Sequence, residues 1–349
     1  MRDELKKVLT YEEAICGSDV SEYISSINRS SSPGYPWIKD RVKGTKGKQG
    51  WFGTDGEFIL NEDVELAVQR RLQAAREGKR LPVMWVDTLK DERRPIEKVR
   101  IGKTRVFAAG PMDFIILFRK YFLGFNAHCM ANMIHNEMAV GINVYSPRWH
   151  ELALYLKTKG PCVVAGDFSN FDGTLNNRIL SSIIQLINDW YDDGEENALI
   201  RQVLWQEIVA SVHIFGDNVY AWNHSQPSGN PATVIINSIY NSLSLRIVWN
   251  QLTKGSDLHG MISFEKHVSP ITFGDDNVIN ISEEAIGVYN QNTLAEGYAQ
   301  IGMKYTNESK TDSNVPFRSL DQVSFLKREF RKDTSRNMYR APLEVGVCM

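Results

Sequence analysis

A chain of 349 residues with 42% hydrophobic content can hold two ordinary domains or one large unit with several subdomains, around a substantial core. A formal net charge of -2 excludes a global basic field, so any nucleic-acid contact has to come from a local patch. The four cysteines (Cys16, Cys129, Cys162 and Cys348) are scattered without zinc-ligand spacing or a disulfide framework, which points to a reducing compartment.

The first ten residues, "MRDELKKVLT", lack the apolar core of a signal peptide. Residues 30–56, rich in Ser, Gly, Pro and Lys, read as an irregular basic loop. "NEDVELAVQRRLQAAREG", 61–78, predicts a helix with acids in its first turn and bases later, as the macrodipole favours. "KDERRPIEKVRIGKTR", 90–105, carries seven bases (Lys90, Arg93, Arg94, Lys98, Arg100, Lys103 and Arg105) against three acids. It suits a triphosphate or a nucleic-acid backbone, or else a solvated charged hairpin. Its "GKT" is not a Walker loop, because Glu97 stands where the first glycine is needed. The apolar run near "DFIILF" is too short to span a bilayer, so no transmembrane segment is expected.

"PCVVAGDF", 161–168, predicts a buried strand ending in Asp167, with Asp172 five residues on. "NNRILSSIIQLINDWYDDG", 176–194, has a helical apolar period, and a second helix and a strand follow it. The breaker-rich "SQPSGNPA" feeds a long helix over 233–252, in which Thr233 and Asn237 share a face. An asparagine among Val234, Ile235, Ile236 and Ile239 needs a hydrogen-bond partner if buried. "PITFGDDNVINI", 270–281, reads as a hairpin with Gly274, Asp275, Asp276 and Asn277 as turn residues. Two adjacent acids there are either a solvated turn or, with Asp167 beside them, a set of hard oxygen ligands of the kind magnesium prefers. Mutual repulsion among such acids calls for a cation. "LAEGYAQIGMKYT" predicts a helix and a strand, and "SFLKREF", 324–330, a strand or hairpin that presents bases. The seven histidines, His128, His135, His150, His213, His224, His259 and His267, pair with no Ser or Cys in a recognisable triad and read as structural. Helices, isolated strands and a hairpin in this mixture predict an α+β fold around a largely antiparallel sheet.

Taken together and in this order, the segments resemble a viral RNA-dependent RNA polymerase of the picornavirus-like group. "GDFSNFD" resembles palm motif A, "PSGNPATVIINS" motif B, "FGDDN" motif C, "GMKYTNESK" motif D and "SFLKREF" motif E. "LKDERRPIEKVRIGKTRVFAAGPMD" resembles motif F, and "SSPGYPW" motif G at the template entrance. The seven stand in the usual order from about Ser31 to Phe330. Motif F and "AVGIN" at 139–143 lean toward dicistrovirus-like or marnavirus-like relatives.

The resemblance implies a right-hand polymerase with an antiparallel palm and fingers. Residues 1–160 would be mainly fingers. Residues 161–330 would be palm, with a fingers insertion around 176–225, and 331–349 the start of a truncated thumb. It implies RNA synthesis from ribonucleoside triphosphates on an RNA template by two-metal nucleotidyl transfer, with two magnesium ions or manganese in their place. Asp167, Asp275 and Asp276 would be the metal and catalytic acids, and Lys310 the general acid. Asp172 and Asn237 would sense the ribose 2′-hydroxyl, supported by Ser228, Gly229 and Thr233. Arg94, Lys98, Lys103 and Arg105 would contact triphosphate, and Ser32, Gly34, Lys90, Lys327 and Arg328 would contact RNA. Implied partners are an RNA template and primer, a viral protein primer and other viral replication proteins, at membrane-associated replication sites in host cytoplasm. Only about thirty residues precede motif G and nineteen follow Phe330, so the resemblance implies a polyprotein fragment lacking most of the thumb. Two rivals share features with it: a reverse transcriptase, which has the same palm chemistry, and a non-catalytic RNA-binding fragment, which needs only the basic strip.

Overall fold

The structure, a computed structural model, describes residues 4–310 and 315–343. In chain order they form α1 (Tyr11–Cys16), α2 (Gln49–Phe52), α3 (Glu62–Arg76), β1 (Met84–Leu89), α4 (Ile96–Arg100), β2 (Val106–Ala109), α5 (Met112–Ala131), α6 (Arg148–Tyr155) and β3 (Cys162–Ser169). There follow α7 (Asn177–Tyr191), α8 (Glu195–Val209), β4 (Val212–Phe215), β5 (Asn218–Ala221), α9 (Thr233–Leu252), α10 (Met261–His267), β6 (Val268–Phe273) and β7 (Asp276–Ile281). Last come α11 (Gln291–Gln300), β8 (Lys304–Asn307), β9 (Ser324–Phe325), β10 (Arg328–Glu329), β11 (Arg331–Asp333) and β12 (Met338–Arg340). The chain divides into two units, Met1–His128 with Leu175–Thr233, and Cys129–Thr174 with Val234–Met349.

In the first unit the sheet order is β2-β1-β4-β5. β1 runs antiparallel to β2 and parallel to β4, an exception to the antiparallel expectation. The side chain of Asn61 caps α3 by accepting from the amides of Asp63 and Val64, and three acids fill its first turn. α5 has no polar stripe to give it a period. Phe114, Ile116, Leu117, Phe118 and Phe122 are all fully buried, and Phe118 stacks on Phe122 at 4.1 Å. No helix among the described residues is long and apolar enough to cross a membrane.

The loop from Ser30 to Gly56 is irregular apart from a 3-10 turn at Trp37–Asp40 and α2. It is tied down by buried cations that use backbone carbonyls in place of carboxylates. Arg29 donates to the carbonyl of Phe52 at 2.7 Å, and Lys48 to the carbonyls of Asn28 and Ser31, each at 3.3 Å. Gly34 takes φ +74° where a Cβ would lie 2.3 Å from the carbonyl oxygen of Gly110, so only glycine fits.

In the second unit the sheet order is β6-β7-β3-β8, with every pair antiparallel. β3 is central, and its apolar run is buried on both faces of the sheet up to Asp167. Gly274 (φ +63°) and Asp275 alone form the β6–β7 turn, since Asp276 already pairs with Phe273. The sequence expectation of a four-residue turn is corrected: Asp276 and Asn277 belong to β7, where hairpin pairing continues to the last possible residue.

Candidate active site

The candidate residues fall into both units. Ser32, Gly34, Lys90, Arg94, Lys98, Lys103, Arg105, Ser228, Gly229 and Thr233 lie in the first, and Asp167, Asp172, Asn237, Asp275, Asp276, Lys310, Lys327 and Arg328 in the second.

In the second unit, strand pairing brings the acids together. Asp167 sits near the end of β3, one residue beyond the Gly166–Asn277 pair; Asp275 sits in the β6–β7 turn and Asp276 opens β7. Burial pushes the Asp276 carboxyl up to about 7, the charges of Asp275 and Asp167 push the same way, and Lys310 and Lys327 oppose them. The Asp167 carboxylate holds the Lys310 ammonium at 2.5 Å. Lys310 itself stands in a left-handed turn (φ +54°) just beyond β8. Among the described residues no group of three His, Cys, Asp or Glu side chains forms a cluster that could by itself hold a metal ion. The donor chemistry nevertheless fits magnesium, which takes one or two carboxylates and completes its shell with water and substrate phosphates. Burial and the neighbouring Asp275 and Asp167 charges disfavour the ionised Asp276 carboxyl, and a bound cation would favour it.

Beyond β3 the chain turns at Asn170 (φ +56°) into a short 3-10 turn that carries Asp172. Asn237 of α9 is 6% exposed and donates from Nδ2 to the Asp172 carboxylate at 2.7 Å. The buried asparagine thus has its partner. Its Oδ1 is buried with no hydrogen-bond partner among the described residues, so a donor is wanted there.

In the second unit too, β9 and β10 form the hairpin expected for "SFLKREF", turning at Leu326 (φ +53°) and Lys327 (φ +59°). Lys327 is exposed. Arg328 is committed locally, donating to the Ala341 carbonyl and to the Tyr145 hydroxyl, each at 3.0 Å.

In the first unit, residues 90–105 connect β1 to β2. The Lys90 amide donates to the Arg105 carbonyl at 2.9 Å and closes the base of the connection. Glu92 binds Arg105 (Nε to Oε1, 2.8 Å) and lies 3.6 Å from Arg94, so one acid offsets two of the expected triphosphate contacts. That bond to Arg105 holds the Glu92 carboxyl below its ordinary range. Lys103 is exposed and Lys98 half-buried. At Gly229 a Cβ would lie 1.8 Å from the Ala108 carbonyl oxygen, and Ser228 Oγ accepts from the Ala108 amide at 3.3 Å. The Thr233 hydroxyl donates back to the Pro227 and Asn230 carbonyls and closes this loop.

Sequence reading missed two groups. His213 does pair with a serine: its Nδ1 meets Asp87 and its Nε2 meets Ser211 Oγ, each at 2.9 Å, while Tyr220 also donates to Asp87. Ser211 is fully buried, so the group ties β1 to β4 and β5 and presents no nucleophile. No motif spacing joins residues 87, 211 and 213. The second group is Ser238 and Asn241 of α9, which bond the hairpin turn. The buried-asparagine argument made for Asn237 applies one helical turn on and would have found Asn241.

Against known proteins, a family model described as viral RNA-dependent RNA polymerase matches residues 2–347. The chain is 57% identical over 351 residues to the replicase polyprotein of acute bee paralysis virus, covering 98% of this chain and 18% of the polyprotein. It is 44% identical to that of Drosophila C virus, covering 99% of this chain and 20% of the polyprotein. It therefore spans about a fifth of the length of these relatives. Among solved structures, the Sicinivirus 3Dpol RNA-dependent RNA polymerase superposes with a TM-score of 0.78 over 99% of this chain and 70% of that one, at 23% identity. That likeness concerns the fold, a mixture of helices and antiparallel sheets. The chain belongs to the viral RNA-dependent RNA polymerase family.

Proposed function

We propose that this chain carries the catalytic region for RNA-templated RNA synthesis from ribonucleoside triphosphates, in a right-hand fold with a palm built on β6-β7-β3-β8. The observation that carries the reading is that Asp167, Asp275, Asp276 and a hydrogen-bonded Asp172–Asn237 pair share one unit, with Asp167 brought to the head of β7 by strand pairing. Asp167 and Asp275 would hold divalent metal, magnesium or manganese, with Asp276 assisting. When bound, the metal supplies Lewis-acid activation of a primer 3′-hydroxyl and charge neutralisation at the leaving pyrophosphate.

The chain's own residues do the rest. Asn237 Oδ1, buried and wanting a donor, is suited to accept a hydrogen bond from a ribose 2′-hydroxyl, while Nδ2 keeps Asp172 in place. That favours ribonucleotides over the deoxyribonucleotides of a reverse transcriptase. Lys310 is suited to protonate the leaving pyrophosphate once a cation replaces it on Asp167. Lys98, Lys103, Arg94 and Arg105 would meet triphosphate, and Ser32, Gly34, Lys90, Lys327 and Arg328 would meet RNA. A protein primer and work at membrane-associated replication sites complete the reading.

The test is incorporation of ribo- and deoxyribonucleotides on an RNA template by the natural full-length protein. Metal-dependent incorporation with strong ribonucleotide preference is expected. Asn237→Ala should narrow that preference by about tenfold or more. An unchanged ratio would remove the 2′-hydroxyl role, and deoxyribonucleotide preference would favour reverse transcription.

A further inference from the structure

The role of Asp275 as a metal ligand, on which this inference rests, requires the turn that presents it to be held still. We propose that Asn241 is the positioning residue for that turn, with its amide oriented by a relay that begins at the Tyr305 hydroxyl and passes through Asn277.

A two-residue turn leaves main-chain groups at its tip without cross-strand partners, and buried carbonyls need donors. Helix α9 supplies both kinds of partner. Ser238 Oγ accepts from the Gly274 amide at 2.8 Å. Asn241 Nδ2 donates to the carbonyls of Gly274 and Asp275, each at 3.1 Å, with the Asp276 carbonyl at 3.5 Å. Ser238 and Asn241 are three residues apart, on one face of the helix, and both are fully buried.

The polarity of the Asn241 amide is fixed from both ends. Carbonyls can only accept, so Nδ2 has to face them. Oδ1 then accepts from Asn277 Nδ2 at 3.0 Å, and Asn277 Oδ1 accepts from the Tyr305 hydroxyl at 2.8 Å. Full burial pushes the Tyr305 phenol well above its ordinary range, so it keeps its proton and remains a donor. Gly166 makes the route possible. A Cβ there would lie 2.0 Å from the Tyr305 ring, so only glycine in the residue before Asp167 lets the tyrosine reach Asn277. The relay therefore joins α9, β7 and β8 beside β3 and ends on the main chain of Asp275.

The test uses the natural full-length protein and Mn2+ alone as probe, followed by electron paramagnetic resonance. The magnesium concentration for half-maximal incorporation and the RNA affinity are measured in parallel. Asn241→Ala should weaken Mn2+ binding and raise the magnesium requirement by about 10- to 100-fold, the usual loss for an outer-sphere partner of a metal ligand, with RNA affinity kept. Tyr305→Phe keeps the ring and its packing and should weaken Mn2+ binding in the same direction by less. The double variant should bind Mn2+ no more weakly than Asn241→Ala alone, because the tyrosine acts through Asn241.

Additive losses would overturn the relay, and Mn2+ affinity within about twofold of wild type in a folded Asn241→Ala protein would overturn the positioning role. Should Asn241→Ala fail to fold, unchanged Mn2+ affinity in Tyr305→Phe overturns the inference and weakened affinity supports it. A wild-type protein without Asp275-dependent Mn2+ binding and without incorporation overturns the proposed function itself. A wild type with both, alongside unaffected variants, overturns the inference alone.

Discussion

The carboxylate-bearing sheet of the second unit and the basic segment of the first carry opposite charge and are built in opposite ways. Around Asp275 the hydrogen bonds are specific: Asn241 of α9 binds the turn, Asn277 and Tyr305 orient that asparagine's amide, and Asn237 binds Asp172. The bases of residues 90–105 instead stand on a connection closed at its base, with Glu92 shared between Arg94 and Arg105. Ile96, Val99 and Ile101 there are 57%, 55% and 74% exposed, so no core holds this segment. A metal site has to hold its ligands in place before the reaction, whereas phosphate binding tolerates a looser array of long cationic side chains. Removing one group should therefore be severe in the first region and graded in the second.

The largest effect should come from Asp167→Asn. It removes a metal ligand and the partner of Lys310 together, so incorporation should fall below detection in a primer-extension assay while RNA affinity stays near wild type. Lys310→Arg comes next. Arginine keeps the charge but holds its proton too tightly to donate it, so single-nucleotide addition should slow by about 10²-fold or more with nucleotide affinity little changed. A wild-type rate and pH profile would leave Lys310 as an electrostatic contact only. Lys103→Ala, in the basic segment, should lower RNA or triphosphate affinity only a few-fold and reduce the salt slope of RNA binding by about one. A loss as complete as that of Asp167→Asn would break the contrast.

The smallest effect concerns stability. Without metal, the Asp276 carboxyl is raised to about 7, above its ordinary 3.8. A raised folded-state value contributes stability below about pH 4, and that contribution is lost as pH rises toward 7. Asp276→Asn should remove this loss. Its melting temperature in chelator should match wild type near pH 4, gain on it through pH 7 by about 1–2 °C per kcal/mol relieved, and level off above. A constant offset across that range would mean that charge at Asp276 is not the cause.

Much of the sheet unit was legible in the sequence because local signals and tertiary placement agree there. The run to Asp167, the Gly274 turn and the helix over 233–252 each carry their own period or breaker. α5 was illegible for the opposite reason: burial on every side erases the period that marks a helix. The Asp87–Ser211–His213 group and the Tyr305–Asn277 step of the relay were hidden because strand register brings their members together, and the packing of α9 adds Asn241; sequence spacing records neither. The pairing of Glu92 with Arg105 was hidden in the same way, so the strip looked more uniformly basic than it is.

The most direct measurement is single-turnover ribonucleotide addition by the natural full-length protein and its Asp275→Asn variant, with RNA affinity determined on the same samples. The account predicts magnesium-dependent addition by wild type, none by the variant, and equal RNA affinity in both. Near wild-type addition by a variant that binds RNA normally would contradict the assignment of the β6–β7 turn as the metal-holding centre.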